Sequence, residues 1–197
     1  KLVNLGRVQQ GGNIGQPLHF SCRPLATRMT AVKDSWGSLD EFVEKATLEC
    51  LNQDNAHPVT NAFEGGETYL QSDESVDHEL LVKVQFRQPI RLSAVKIYGN
   101  VEDETAPQTV KIFQGKDHIG FEEAGDEEAS QVLNLEADQV NKGEPVVVKF
   151  VKFQCVQSLQ LFVQENFGGA VTKVRRIEFL GEPAQKMDMK DWKPVKC

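Results

Sequence analysis

LVKVQFRQPIRLSAVKIY, residues 81–98, is the stretch on which the fold turns. In its first half Val82, Val84 and Phe86 fall on one face and Lys83 and Gln85 on the other, the period of two that belongs to a strand buried on one side. After Arg87-Gln88-Pro89 the pattern resumes over Ile90–Tyr98, which predicts a second strand. Working outward, Thr109–Phe113 is a further half-buried strand, Leu133 and Leu135 mark another, Leu159, Leu161 and Val163 alternate with Gln160, Phe162 and Gln164, and a last strand lies near Val174–Leu180. Val146–Phe153 (VVVKFVKF) is apolar at nearly every position before Lys149, which predicts a central strand covered on both faces. Roughly seven to nine short strands, separated by Gly, Pro and acidic turns with almost no helix between them, predict an all-β sandwich or jelly roll rather than a parallel sheet.

One helix is expected ahead of the strands. Ser38 with Glu41 three residues later reads as a capping box, and Leu39, Phe42, Val43 and Ala46 share a helical face, so a short N-terminal helix should run to about Glu49 and Cys50. Residues 1–28 are Gly- and Gln-rich, acid-free and without apolar periodicity, and Met29 follows directly. They read as a leader or extension, with an Arg-bearing transit peptide as the alternative. The domain is placed at 29–193 and a short tail at 194–197.

Composition narrows the function classes. With 40% apolar and 26% charged residues over 197 positions, one soluble domain is the expectation, and no apolar run approaches the roughly 18 residues that a membrane span needs. The net charge of −7 is unevenly spread: residues 1–33 carry Lys1, Arg7, Arg23, Arg28 and Lys33 and no acid, which leaves about −12 for the remainder. An acidic body repels phosphate backbones, so nucleic acid is not an expected partner. Cys22, Cys50, Cys155 and Cys197 form no C-x-x-C pair, and the N-terminus has no apolar signal core, which together suit reduced thiols in the cytoplasm or nucleus. Cys50 and Cys155 each sit beside apolar residues and are expected to be buried and inert.

A search for chemistry returns little. Phosphate-binding loops, nucleophile elbows, zinc-binding helices and dinucleotide turns are all missing from the sequence, and the four histidines stand at unrelated spacings. No enzyme, cofactor or metal is therefore expected. Two acidic stretches stand out instead. Ser72–Glu79 lacks the alternating acids and turn glycine of a calcium loop, and Glu122–Glu128 reads as a solvated loop; both are candidate partner-facing surfaces. Asp73, Glu74, Asp77, Glu122, Glu123, Glu127 and Glu128 are the candidate contact residues, joined by Asn166 and Phe167 of the turn Asn166-Phe167-Gly168-Gly169.

Several blocks also carry a resemblance. Cys50-Leu51-Asn52, Tyr69-Leu70-Gln71-Ser72-Asp73-Glu74, Glu79-Leu80-Leu81 with Phe86 and Pro89, Thr109–Phe113, Phe150-Val151-Lys152-Phe153-Gln154, Ser158-Leu159 with Phe162-Val163, Asn166 with Gly168, and Phe179-Leu180-Gly181 occur in this order. In that order they resemble the PITH domain, the C-terminal module of the thioredoxin-like protein family that also occurs as a stand-alone protein. The resemblance spans about residues 39 to 193. It implies a galactose-binding-like jelly roll and a non-catalytic protein-interaction module that docks on the 26S proteasome or another large assembly; a monomer is expected. The redox thioredoxin domain and its paired cysteines do not occur in this sequence, so no disulfide-exchange function carries over. A small-ligand jelly roll, binding a carbohydrate or a metal in its loops, is the alternative.

Overall fold

In the computed structural model, residues 36–116 and 118–184 are described; the leader, the tail, and Cys22 and Cys197 lie outside them. Ten strands and three short helices make up this part of the chain. The strands are β1 (Gly37–Ser38), β2 (Glu49–Leu51), β3 (Leu70–Gln71), β4 (Leu80–Tyr98), β5 (Pro107–Gln114), β6 (Gln131–Asn134), β7 (Val146–Val147), β8 (Val156–Asn166), β9 (Lys173–Val174) and β10 (Arg176–Pro183). The helices are α1 (Asn61–Glu64), α2 (Phe121–Asp126) and α3 (Ala137–Lys142).

The two strands expected over 81–98 are one strand with a bend. Its pairing with β8 shifts register between Gln85 and Ile90, where Arg87 and Gln88 are exposed and Pro89 has no N–H to donate. The bend lets β4 serve two layers. Its first half pairs with β2 and β8, and β5 and β6 continue that layer; its second half pairs with β10 and β7, and β1 closes the far edge. The alternation does what it predicts: Val82, Val84, Phe86, Val110, Ile112, Leu159, Leu161 and Val163 all enter one core, where Phe179 meets Phe86 edge-on with centroids 5.4 Å apart. Each fully buried Leu, Val or Phe of this kind contributes about 1.5–3 kcal/mol through removal from water.

Three expectations are corrected. The N-terminal helix does not form: two 3₁₀ turns, Asp40–Phe42 and Lys45–Thr47, stand in its place and run into β2. Ser38 Oγ accepts from the N–H only two residues on, at Asp40, so it makes no helix cap. Val43 is extended and bridges Phe86 while Glu44 N–H donates to Gln85, so pairing with β4 outcompetes a helix whose isolated stability is marginal at this length. Val146–Phe153 is no central strand either. Two of its residues, Val146 and Val147, edge the second layer as β7, and Phe150–Lys152 is a 3₁₀ turn facing solvent. Val148 and Phe153 alone point fully inward. Finally, Glu122–Glu128 is not a loop: its first part is α2.

That helix has a reason to exist. Leu81, Phe113 and Phe162 lie on the outer face of the first layer, opposite the main core, and need cover. Phe121 and Ala124, one helical turn apart, supply it, with Phe121 edge-on to Phe162 at 6.1 Å. Gly120 N–H donates to the Glu123 carboxylate at the start of the helix, and Lys111 Nζ donates to the carbonyls of Ala124 and Gly125 at its end, which places a cation where the helix dipole is negative. None of these helices is long and apolar enough to cross a membrane.

Candidate functional site

The loops at the end of the sandwich where β4 begins and β8 finishes are tied together by a buried polar knot. Ser72 and Thr172 are fully buried and Asn166 nearly so. Ser72 N–H donates to the Thr172 carbonyl, Thr172 N–H donates back to Ser72 Oγ at 3.0 Å, and Thr172 Oγ1 donates to the His78 carbonyl at 2.6 Å. Asn166 Nδ2 donates to the carbonyls of Gly169 (2.8 Å) and Val171 (3.0 Å), and its Oδ1 accepts from Gly168 N–H at 3.0 Å. Among the described residues, every buried side-chain nitrogen and oxygen has a hydrogen-bond partner.

This knot decides the fate of two candidates. Asn166 is a buried organiser of the 166–172 turn and not a surface contact, because its whole amide is consumed inside the protein. Phe167 is half-buried and packs against the main core. The turn it belongs to nonetheless presses on the acidic segment, since Thr172 holds both Ser72 and His78.

On that support, Asp73–Glu79 forms a fixed ridge. Asp73 Oδ1 accepts from the hydroxyl (2.7 Å) and N–H (2.9 Å) of Ser75, and these bonds, hydroxyl first, hold the Asp73 carboxyl below its ordinary value. Asn52, at φ +65°, turns its Nδ2 onto Asp77 Oδ1 and the carbonyls of Asp77 and Glu79. Glu74 and Asp77 remain exposed. Partial burial, followed by the charge of Asp77, pushes Glu79 above the ordinary glutamate value, and His78 and Lys111 oppose the shift.

Lys111 thus lies between the two acidic segments, within electrostatic reach of Glu79 and bonded to the end of α2. Glu122, Glu123 and Glu128 are exposed there, while Glu127 is half-buried and paired with Lys116. Through Lys111 the Glu79 end of the ridge lies within electrostatic reach of the end of α2, and Asp126 is an additional exposed acid there.

Two further features involve none of the candidate contact residues. A shallow polar pocket of about 220 Å³ at the same end is lined by Glu67, Tyr69, Asn100, Asp103, Lys173 and Arg175. His57 stacks on the Tyr69 ring at 4.3 Å and Lys173 Nζ lies 5.5 Å from its centroid, so the ring is not a free platform for a sugar. The second is the outward turn at Lys149–Lys152. The pocket does not announce itself by periodicity, because it is assembled from loops distant in sequence, and the turn is hidden inside a stretch whose apolar run reads as a strand. Among the described residues, no group of three or more His, Cys, Asp or Glu side chains is placed to hold a metal. Of the two described thiols, burial pushes Cys50 up to about 12, whereas Cys155 is exposed, contrary to the expectation that both are buried.

Comparison with known proteins adds the following. The PITH domain model matches residues 30–196. Thioredoxin-like protein 1 of Schizosaccharomyces pombe is 32% identical over 164 residues, which cover 81% of this chain and 56% of that protein. PITH domain-containing protein 1 of Xenopus laevis is 28% identical over 141 residues, covering 68% of this chain and 65% of its own. The chain therefore spans less than two thirds of the length of these relatives. Among solved structures, the family 32 CBM of Clostridium perfringens NanJ, determined in complex with galactose, superposes with a TM-score of 0.55 at 10% identity, over 74% of this chain and 98% of that one. At that identity the likeness concerns the jelly-roll fold alone.

Proposed function

The chain belongs to the PITH domain family, and on that premise we propose that it is a non-catalytic protein-interaction module that docks on a large cytosolic or nuclear assembly, the 26S proteasome foremost. The observation that supports this reading is the acidic face. Asp73, Glu74, Asp77, Glu122 and Glu123 stand on a ridge and a helix that are both braced from beneath, with Glu128 just past the end of that helix, in a chain of net charge −7. Such a face attracts a basic surface, steers encounter, and loses little entropy on binding because its supports are already ordered.

The test is co-sedimentation of the tagged chain with purified 26S proteasomes at low and raised salt. Co-migration that weakens as salt rises is the expected result. Absence of co-migration at both salts removes the proteasome as partner, and co-migration indifferent to salt removes the acidic face as the contact.

The small-ligand reading rests on the polar pocket and the fold likeness. A thermal-shift screen with galactose, other monosaccharides and calcium tests it, and a saturable rise in Tm that is lost on Asp103→Ala would favour it.

A further inference from the structure

We propose that the turn Lys149–Lys152 is a second docking element, which seats an acidic, apolar segment of a partner protein. The inference rests on the docking reading above in taking that partner to be a protein, and it concerns a surface of opposite charge.

Val146–Phe153 crosses the open side of the sandwich and is pinned along its length. Val148 and Phe153 enter the core as anchors; Val148 N–H donates to Ser93 and Leu92 N–H donates to the Phe153 carbonyl, both at 3.0 Å. The Gln131 side chain, reaching from the edge of the other layer, donates to the Val147 carbonyl at 3.2 Å and accepts from Lys149 N–H at 2.6 Å. Lys152 N–H and Phe153 N–H close the turn on the carbonyls of Lys149 and Phe150. Held in this way, the turn pushes Phe150 (51% exposed) and Val151 (85%) into water, with Val147 on the same segment and Val132 beside Gln131. Of the six large apolar side chains exposed among the described residues, four are these, so the patch is a concentration rather than scatter.

Charge selects the occupant. Lys149 and Lys152 flank the apolar pair, and neither has a carboxylate within ion-pair distance among the described residues. Both line an open cleft of about 380 Å³ that continues onto Gln131 and Val132. Lys111, Glu127 and Glu128 line it too, Lys111 bonded to the carbonyls at the end of α2 and Glu127 paired with Lys116, so the cleft holds three lysines against one glutamate unpaired among the described residues. An incoming segment that covers Phe150 and Val151 with its own apolar side chains must place its charged groups over two ammonium groups, and carboxylates satisfy them. A basic segment would set its own cations against these two ammonium groups. A second copy of this chain, whose acidic face would also suit the lysines, is the competing occupant.

The full chain, Phe150→Ser/Val151→Ser and Lys149→Glu/Lys152→Glu are compared. All four positions are exposed, so both double variants should melt with the wild type. The probe is a short fluorescein-labelled peptide of alternating Glu and Leu, read by anisotropy, with a Lys/Leu peptide as control. Saturable binding of the acidic peptide, weakened about ten-fold by each double variant and absent for the basic peptide, is expected. No binding, binding equal in the variants, or preference for the basic peptide overturns the proposal. So does a concentration-dependent dimer in sedimentation velocity that either variant abolishes. Proteasome co-sedimentation undiminished in both variants would likewise remove the turn from that contact. Peptide binding at the turn without proteasome co-sedimentation would leave the turn standing and end the proteasome reading.

Discussion

Asn166→Ala separates support from contact at the acidic end of the molecule. The substitution deletes the donor that serves the carbonyls of Gly169 and Val171 and the acceptor that serves Gly168 N–H. The bond to Val171 is buried and those to Gly169 and Gly168 are part-buried, so water can replace the latter two more readily. A buried carbonyl stripped of its donor costs about 1–3 kcal/mol, and adding the part-buried losses gives about 3 kcal/mol. For a domain of this size that lowers Tm by about 6–12 °C in scanning fluorimetry or calorimetry. Asn166→Asp keeps the shape but turns a carboxyl oxygen toward two carbonyls, which raises its folded pKa above the unfolded value near 3.9. Its stability is then retained below that value and lost as pH rises, so the Asp variant should suffer most at neutral pH and least near pH 4. A Tm within about 2 °C of wild type for the Ala variant would refute the buried-organiser reasoning. Lost proteasome co-sedimentation at unchanged Tm would return Asn166 to the surface.

Three further outcomes follow from the same structure. In Gly181→Ala the new Cβ would sit 1.9 Å from the Arg91 carbonyl oxygen at the β10 bulge; relief requires backbone movement, and chemical denaturation should show a loss of about 3 kcal/mol or more. Glu79 titrates above its ordinary value because of burial and then Asp77, so its stability contribution is intact below the unfolded pKa of about 4.3 and falls as pH rises through the folded one. Glu79→Gln should therefore raise Tm at pH 7 and bring no gain near pH 4, and a loss at both pH values would contradict this. In a Cys22→Ser/Cys197→Ser background, Cys155 should label rapidly with a thiol reagent at pH 8. Cys50, pushed from 9.0 to about 12, should react about a thousand-fold more slowly than an unperturbed thiol. Two fast thiols in mass spectrometry would refute that assignment.

The candidate contact residues were only partly legible. The carboxylates of Asp73, Glu74, Asp77, Glu122, Glu123 and Glu128 are where an acid-rich run suggests, because uncompensated charge is almost never buried. Asn166 was not legible as support: an Asn before Phe-Gly-Gly looks the same whether its amide meets solvent or the carbonyls of Gly169 and Val171. VVVKFVKF misled for a related reason: an apolar run does not say which of its side chains the fold covers, and here Val148 and Phe153 are buried while Phe150 and Val151 face solvent. The same ambiguity hid α2, where Phe121 and Ala124 offer a single helical repeat and the apolar patch that they cover, Leu81, Phe113 and Phe162, comes from three separate strands.

What the sequence determined alone is the set of strands and their core-facing residues, from Val82 and Val84 through Leu159 and Leu161, because a period of two is a local property that pleating converts directly into two sides; that Gln160 and Phe162 on the other face of β8 are buried as well was not in it. Tertiary structure decided the rest: that one bent strand joins both layers, that Val43 pairs with Phe86 instead of continuing a helix, that Thr172 braces Ser72 from a hundred residues away, and that Phe150 and Val151 face outward. Each of those outcomes is a competition between a local preference and a partner distant along the chain, and the partner's position is a property of the folded molecule alone.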